Sequence, residues 1–477
     1  MTDLKSTAVS GTFWMMSGTF MVRAVEFIVK IVLARMLLPE DFGLIAIGLL
    51  VVNTLGLFRN HEVGQALIYG KGGRRGADSA FVMQPAIASL LYAIIYLSAP
   101  VVSGFFQADV TLVVRVLALT LVIDSLGVVH ASLLERDLRF KARMMPDVIS
   151  TVSYAIVSLY LAWAGFGLWS IVWGYVASSL VRVVTMWSYS RWIPSLSFSM
   201  DSARSLLSYS MPLISANIIL FANANLDDAI IGRMFGASIL GYYTLAYMFG
   251  NIPATQITHV VGRVMFPVYS RMKSDVKSFR NAYVKKLSYV TLLSFPAGFL
   301  IMGLYKDFII LFIGSKWLPS VLLAWVLCLY GMVRSVGATT GSVFQAAGKP
   351  RLVAYYALIQ LVSFTLLVFP STIYVGALGV AIAATVSNVI SVSASLKAVA
   401  GILKADYSRM LSVITVNFLI SALPAFVFIL PFDNAHASLM VKAVAYTLLF
   451  ALLNHLLNRR MVEGLCSDLS PVFKHWF

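Results

Sequence analysis

Long apolar stretches recur along the whole chain, and short polar segments separate them. Fourteen of these stretches approach or exceed the roughly 20 residues that a helix needs to cross the hydrocarbon core of a bilayer. The pattern predicts an all-α polytopic membrane protein with about 14 transmembrane helices. The predicted spans cover residues 12–37, 42–68, 80–102, 111–133, 147–163, 168–187, 211–235, 240–266, 287–304, 319–345, 352–370, 376–396, 410–430 and 439–457.

The composition agrees with a membrane protein and excludes several other classes. Of the 477 residues, 60% are apolar and 12% are charged, whereas soluble domains carry about 25% charged residues. A soluble globule of this composition would expose more apolar surface than monomers tolerate. The composition therefore excludes a soluble enzyme, a disordered chain and a disulfide-stapled secreted domain.

The distribution of basic residues predicts the orientation, because lysine and arginine favour the cytoplasmic side of a membrane. With the N-terminus inside, the inside segments contain 24 of the 36 basic residues, and the outside gaps contain only Lys306 and Lys316. We therefore expect both termini to be cytoplasmic. The net charge of +16 then marks topology and contact with anionic membrane lipids, and we expect no nucleic-acid binding.

The loops lack the motifs that are typical of enzymes. Residues 70–76 are glycine-rich and basic, but they lack the G-x-x-x-x-G-K-[ST] order that binds nucleotide phosphates. No paired carboxylates or Ser/His/Asp set suitable for catalysis is apparent on one membrane face. We therefore predict a transporter without cofactor or metal, and a membrane-embedded glycan polymerase or ligase is the weaker class.

An internal repeat predicts two lobes. Six spans recur, and because six is even, the copies share one orientation and should be related by a pseudo-two-fold axis along the membrane normal. We predict an N-lobe with an interfacial linker (1–205), a C-lobe (206–399) and a helix pair with a cytoplasmic tail (400–477). The matched pairs are Arg35/Arg233, Gly43/Gly241, Asn53/Asn251 and His61/His259 at a shift of 198 residues, and Ser125/Ser335, Gly127/Gly337 and Ser132/Ser342 at a shift of 210.

Basic residues inside the spans are candidates for substrate binding, because a charge at mid-bilayer costs about 2.5–3.5 kcal/mol on insertion scales. Bases outnumber acids in the spans by ten to six, and a net positive interior suits an anion such as a phosphate or pyrophosphate. Arg23, Glu26 and Lys30 share one face of the first span, either as a cavity wall or as an ion pair that joins two helices. Arg59 and Arg263 lie near span ends, where snorkelling is the alternative. We assign the substrate cavity to Arg23, Lys30, Arg59, Arg263 and Arg334.

Acidic and histidine side chains in the spans predict ion coupling or gating. Asp124 and Arg334 directly precede the matched Ser-x-Gly, so they either pair across a cavity in one state or form a static clasp between the lobes. The adjacent Asp227 and Asp228 favour a cation or proton site. An unperturbed histidine changes its charge near physiological pH, which makes the matched histidines candidates, with a packing role as the alternative. The candidates for coupling or gating are Glu26, Asp124, Asp227, Asp228, His61 and His259.

Several motifs resemble those of polysaccharide-unit exporters in the multidrug/oligosaccharidyl-lipid/polysaccharide exporter superfamily. The first copy reads L-A-R-M-L-L-P-E-D-F-G over 33–43 and G-Q-A-L-I over 64–68, and the second contains I-G-R over 231–233 and L-G-Y-Y over 240–243. Two further elements are F-P-V-Y-S-R over 266–271 and A-A-G-K-P-R over 346–351. Within that superfamily, the chain resembles the Wzx-type, colanic-acid-exporter-like flippases.

The resemblance implies a flippase in a bacterial inner membrane that moves undecaprenyl-pyrophosphate-linked oligosaccharide repeat units from the inner to the outer leaflet. Such proteins serve exopolysaccharide, O-antigen or capsule biosynthesis, work by alternating access around a partly cationic cavity, and in some members couple to H⁺ or Na⁺. Contact with the polysaccharide polymerase machinery is a further expectation. Arg35, Gly43, Arg233 and Gly241 match the motifs directly, and we assign them to the motif and to lobe packing.

Two points remain open within this resemblance. Many family members have twelve spans, so fourteen spans leave the role of residues 400–477 undefined. The alternative function is a cation-coupled small-molecule or drug antiporter of the same superfamily, which would use Asp227 and Asp228.

Overall fold

Helices make up all the regular structure in the described part of the chain. The computed structural model describes residues 2–57, 67, 73–195, 197–258, 275–431 and 435–458. A non-helical backbone at Gly236 (φ 83°, ψ 176°) interrupts the longest helix. The helices are α1 (Thr2–Met36), α2 (Pro39–Gly56), α3 (Gly73–Phe106), α4 (Thr111–Ser125), α5 (Val128–Arg136), α6 (Phe140–Trp163), α7 (Trp169–Ser190), α8 (Met200–Gly250), α9 (Val276–Phe308), α10 (Ser320–Ala346), α11 (Arg351–Val375), α12 (Ala377–Leu403), α13 (Tyr407–Ala422) and α14 (Ala435–Leu457).

Most of these helices are suited to a membrane. Within the described residues, ten are long and apolar enough to cross it, and α4 and α5, which bend by 41°, would together form an eleventh span. These eleven coincide with the predicted spans 2–6 and 9–14, and the other three predicted spans fall on α1 and on the two parts of α8. The all-α polytopic membrane fold is therefore confirmed, whereas the count of fourteen spans stays a prediction.

The chain divides into two compact units, Met1–Gly241 and Tyr242–Phe477. The first unit groups α1–α7 with α8 up to Gly241, so this division falls later than residue 205. The lobes 1–205 and 206–399, and the axis that would relate them, stay predictions.

Small residues and charges hold the helices of the first unit together. A Cβ atom added at Gly11 or Gly18 of α1 would meet Phe140 or Met144 of α6, so these glycines permit a close approach. On the same first turns of α6, a network of two bases and two acids joins α5, α6 and α7, and its opposite charges balance. Its contacts are Arg143–Glu135 and Arg143–Asp147 at 2.8 Å and Arg182–Asp147 at 3.6 Å.

In the second unit, the C-terminal helices pack onto α9. An apolar core forms among α9, α10 and α12. The Asn417 amide of α13 donates to the hydroxyl of Thr291 at 2.7 Å, and Lys442 of α14 pairs with Asp307 at 3.3 Å. Because these polar groups find partners on α9, α13 and α14 belong to the packed unit.

Aspartates outside the spans begin two helices. The Asp275 carboxylate accepts the N–H groups of Lys277 and Ser278 at 3.0 and 3.2 Å, and the Asp406 carboxylate accepts that of Ser408 at 2.9 Å. These are N-caps that satisfy otherwise unpaired donors. Hydrogen bonds from the side chain and backbone of Ser278 lower the pKa of Asp275, and those of Ser408 lower the pKa of Asp406.

Candidate functional site

The two copies of the repeated motif meet at a close crossing between α2 and residues 237–241 of α8. A Cβ atom added at Gly43 would overlap the carbonyl oxygen of Ala237, and one added at Gly241 would overlap that of Pro39. Ala237 lies four residues before Gly241, and Pro39 lies four residues before Gly43. Each glycine therefore meets the same carbonyl of the other copy, so the contact is reciprocal and follows the repeat. Only glycine permits two backbones to approach this closely.

The same break in the helix precedes the crossing in both copies. Leu38 is extended (φ −85°, ψ 155°), and its N–H donates to the Asp41 carboxylate at 2.9 Å. The equivalent residue, Gly236, has a φ of 83°, which favours glycine. Each crossing glycine therefore lies five residues after a break.

The matched arginines lie in the turns before these breaks, and both are exposed. Arg35 is in the last turn of α1, where a cation interacts favourably with the helix dipole. The Arg233 guanidinium carbon lies 5.4 Å from the centroid of the Phe105 ring, a cation–π contact. The assignment of both arginines to lobe packing stays a prediction.

A polar cavity of about 490 Å³ lies in the first unit, between α2, α4 and the part of α8 before Gly236. Among the described residues that line it, Asp124 alone carries a charge. Carboxylate, amide and hydroxyl oxygens are the ligands that hard cations prefer. The cavity therefore suits a proton or a small cation rather than an anion. Its polar lining consists of Asn53, Thr120, Asp124, Asn217 and Asn225.

The matched positions of the second unit are in direct contact instead. Arg334, which matches Asp124, donates to the Tyr247 hydroxyl at 2.6 Å and to the Asn251 side-chain oxygen at 3.2 Å. Its guanidinium carbon lies 5.9 Å from the centroid of the Tyr330 ring. In the first copy, Asp124 faces the cavity beside Asn53. In the second copy, the matched residue is Arg334, which binds Asn251.

Side-chain size accounts for this difference between the two units. A Cβ atom added at Gly331 of α10 would overlap the carbonyl oxygen of Gly250, so the two backbones touch there. The matched residues of the first unit are Val52 and Leu121, and both line the cavity. Because neither residue is glycine, α2 and α4 cannot form the equivalent backbone contact, and a cavity lies in front of Asp124.

The charged face of α1 is half-buried. In the described part of the chain, Arg23, Glu26 and Lys30 form no ion pair within 4.0 Å, so the helix-joining pair considered from the sequence is absent there. Glu26 lies near the phenol of Tyr154, whose ring centroid is 5.0 Å from that of Tyr175. The assignment of Arg23 and Lys30 to the substrate stays a prediction.

Two of the other candidates are adjacent residues of α8. Asp227 of α8 is buried, and Asp228 is half-buried. The remaining four candidates lie outside the described residues, namely Arg59, His61, His259 and Arg263.

Lys286 is a buried base that its basic sequence context does not reveal. It is one of the 24 bases of the predicted inside segments, yet α9 buries it to 2% exposure. Its Nζ donates to the hydroxyl of Ser342 at 2.9 Å. Ser342 matches Ser132 in the repeat, and this match was the sequence feature that could have drawn attention to its partner, Lys286.

Comparison with known proteins places the chain in a family. A family model described as "Polysaccharide biosynthesis protein" matches residues 32–322. The chain belongs to this family. The match extends from the end of α1 into α10, and so it includes both glycines of the crossing.

Relatives in this family carry names from polysaccharide assembly, and they confirm the resemblance to Wzx-type proteins. The teichuronic acid biosynthesis protein TuaB of Bacillus subtilis is 29% identical and aligns over 70% of each chain. The lipopolysaccharide biosynthesis protein WzxC of Escherichia coli is 24% identical over 73% of this chain and 71% of its own. The succinoglycan biosynthesis transport protein ExoT of Rhizobium meliloti is 26% identical over 73% and 70%.

Among solved structures, the lipid II flippase MurJ in an inward closed conformation shares the fold. The TM-score is 0.77 at 17% identity, over 94% of this chain and 99% of MurJ. An inward-facing multidrug transporter of the MATE family has a TM-score of 0.56 at 14% identity, over 79% of this chain and 95% of its own. The fold is therefore that of the exporter superfamily predicted from the motifs.

The close crossing predicts that alanine destabilises the protein at Gly43 and Gly241 but not at a glycine with open space around it. Gly43→Ala and Gly241→Ala should each destabilise the protein by about 1–3 kcal/mol, because an overpacked contact must open. Gly104→Ala is the matched control, since no described atom lies within 4 Å of a Cβ added there. It should be neutral or stabilising by up to about 1 kcal/mol. Unfolding of the purified variants in detergent measures these changes, and equal stability of all three would contradict the crossing.

Proposed function

We propose that this protein is a flippase that moves undecaprenyl-pyrophosphate-linked oligosaccharide units from the inner to the outer leaflet of a bacterial inner membrane. Membership of the polysaccharide biosynthesis family is the observation that carries this proposal. The relatives are named for chemically different polymers, among them teichuronic acid, succinoglycan and amylovoran. What such substrates have in common under this proposal is the lipid pyrophosphate rather than the sugar.

The basic side chains of the spans would hold the pyrophosphate. Arg23 and Lys30 are half-buried, and no described carboxylate lies within 4.0 Å of either. The Tyr247 hydroxyl and the Asn251 amide orient the guanidinium of Arg334 without neutralising its charge. Guanidinium and ammonium groups bind phosphate oxygens through charge-assisted hydrogen bonds.

The Asp124 cavity supports a role for a cation in driving transport. A proton or Na⁺ bound there would change the charge of the first unit while the base at the matched position of the second unit keeps its own. A cation that binds one conformation more tightly than the other shifts the equilibrium between them. We propose that Asp124 couples alternating access to such an ion, with Glu26, Asp227, Asp228, His61 and His259 as further candidates.

The remaining expectations follow from the charge pattern and the family. Both termini would be cytoplasmic, because the inside segments carry 24 of the 36 bases. Anionic lipids would surround the basic inside face. A polysaccharide polymerase would consume the units delivered to the outer leaflet.

A cation-coupled drug antiporter of the same superfamily is the second candidate. The acidic cavity at Asp124 and the buried Asp227 are the observations that favour it. The net positive charge of the spans argues against a cationic drug as the substrate.

Deletion of the gene should stop surface polysaccharide formation and leave the lipid-linked unit in the inner leaflet. Mass spectrometry of the membrane lipids would identify the accumulated intermediate and its glycan. Complementation with the intact gene is the control. Normal polysaccharide export in the deletion strain would contradict the proposal, and drug sensitivity with intact polysaccharide would favour the antiporter.

Removing a basic charge from the proposed substrate cavity should impair export. Arg23→Gln, Lys30→Gln and Arg334→Gln should each reduce export about tenfold or more, because a charge-assisted hydrogen bond contributes about 1.5–3 kcal/mol and 1.4 kcal/mol is a tenfold change. Arg115→Gln is the matched control, since Arg115 stacks on Tyr96 at 4.1 Å near a span end. The rate of polymer appearance per folded protein is the readout. If these variants export polymer as fast as Arg115→Gln does, the assignment of Arg23, Lys30 and Arg334 to the substrate is refuted.

Neutralising Asp124 should uncouple transport from the ion gradient. Asp124→Asn should keep the protein folded but make export insensitive to dissipation of the proton or sodium gradient. Asp109→Asn removes an exposed acid and should leave the dependence unchanged. Export by Asp124→Asn that still collapses with the gradient would show that another group binds the ion.

A further inference from the structure

A basic pocket of about 430 Å³ lies at the end of the first unit that is predicted to face the cytoplasm. Three separate elements supply its arginines: Arg74 is in the first turn of α3, Arg136 in the last turn of α5, and Arg191 directly follows α7. Ala77, Leu133, Trp192 and Ile193 complete the lining. No lining residue is shared with the Asp124 cavity.

The pocket carries a net positive charge. In the described part of the chain, no carboxylate lies within 4.0 Å of Arg74 or Arg191, and Arg136 pairs with the exposed Asp137 at 3.3 Å. An exposed pair of this kind contributes little and leaves the guanidinium accessible. Several guanidinium groups around one concavity are suited to a phosphate, which they bind in a bidentate manner.

The segment that carries Arg191 is held firmly in place. Arg191 has a left-handed backbone (φ 53°), an uncommon conformation for a residue other than glycine, and one that its surroundings must maintain. The buried Asp78 carboxylate of α3 accepts the N–H and the hydroxyl of Ser195 at 3.0 and 2.7 Å. The Ser79 hydroxyl accepts the N–H of Ser199 at 3.0 Å.

An aromatic cluster fixes the wall beside the arginines. His130 is fully buried, its Nδ1 lies 2.7 Å from the hydroxyl of Ser190, and that hydroxyl accepts the N–H of Trp192 at 3.2 Å. The centroids of the His130 and Trp192 rings are 5.2 Å apart. The pocket is therefore preformed by packing and hydrogen bonds.

Exposed apolar side chains on the same segment indicate that the ligand is attached to a lipid. Ile193, Phe198 and Met200 are 79%, 49% and 70% exposed. A segment that combines exposed apolar side chains with basic residues lies in the membrane interface. At that depth, the arginines meet the level of the lipid phosphates.

We propose that the Arg74–Arg136–Arg191 pocket binds the phosphate group of an inner-leaflet lipid. Two lipids carry this chemistry: an anionic phospholipid of the bilayer, and a polyprenyl phosphate of the kind that carries glycans. The proposal is independent of the flippase function, because lipid binding is measured without transport.

Native mass spectrometry of the full-length protein, with phosphatidylglycerol or undecaprenyl phosphate added, tests the pocket. The triple variant Arg74→Gln/Arg136→Gln/Arg191→Gln should bind one or both lipids at least tenfold more weakly than the wild type. The matched control, Arg204→Gln/Arg351→Gln/Arg409→Gln, removes the same charge from exposed positions and should bind as the wild type does. Zwitterionic phosphatidylcholine should bind equally to the wild type, the triple variant and the control.

The two lipid arms identify the source of the phosphate. Loss of phosphatidylglycerol binding alone supports a structural phospholipid, and loss of undecaprenyl phosphate binding alone supports the carrier lipid. Equal affinities of the triple variant and its control for both lipids would overturn the proposal. Single Arg191→Gln gives the same test with a smaller perturbation of folding.

Asp78→Ala separates a preformed pocket from general attraction to basic charge. This variant removes a negative charge, so electrostatics alone predicts tighter phosphate binding. Because Asp78 holds the Arg191 segment, the pocket predicts weaker binding instead. Tighter or unchanged binding by the folded variant would contradict a preformed site.

Discussion

The contact of two helix backbones at Gly43 and Gly241 is the constraint on which the first unit depends. Lipid tails are as apolar as leucine, so helices in a membrane associate through close packing rather than through a hydrophobic driving force. Glycines at matched positions of a repeat supply that packing reciprocally, each against the carbonyl four residues before the other. The breaks at Leu38 and Gly236 place these glycines at equivalent points of their helices.

From this shared geometry, the two copies diverge in a way that suits transport. Glycines at 250 and 331 close the second copy, so Arg334 meets Asn251 directly. Valine and leucine at the matched positions of the first copy leave a polar cavity in front of Asp124. The repeat thus places the acid Asp124 beside a cavity in the first copy. In the second copy, it places the base Arg334 against Tyr247 and Asn251. Under our proposal, this asymmetry would give a cation and an anionic substrate separate places.

Much of the fold was predictable from the sequence, because spans and repeats depend on local composition and spacing. Each predicted span falls at least partly on a described helix, and the matched Gly43 and Gly241 meet. The cavity was not predictable, because it depends on how the side chains of Val52 and Leu121 pack between α2 and α4. Lys286 was missed because it adjoins a basic segment, and only its packing against Ser342 shows that it is buried. The basic pocket depends on Asp78 binding Ser195, 117 residues away, and no local pattern indicates such a contact.

Transport of a lipid-linked glycan is the central claim, and reconstitution tests it most directly. The purified protein would be placed in vesicles with undecaprenyl-pyrophosphate-linked oligosaccharide, and an impermeant glycan-cleaving enzyme would report the leaflet that each unit occupies. The account predicts that units protected in the inner leaflet become accessible in a protein-dependent manner. Equal accessibility over time in protein-free vesicles and in vesicles that contain the folded protein would contradict it.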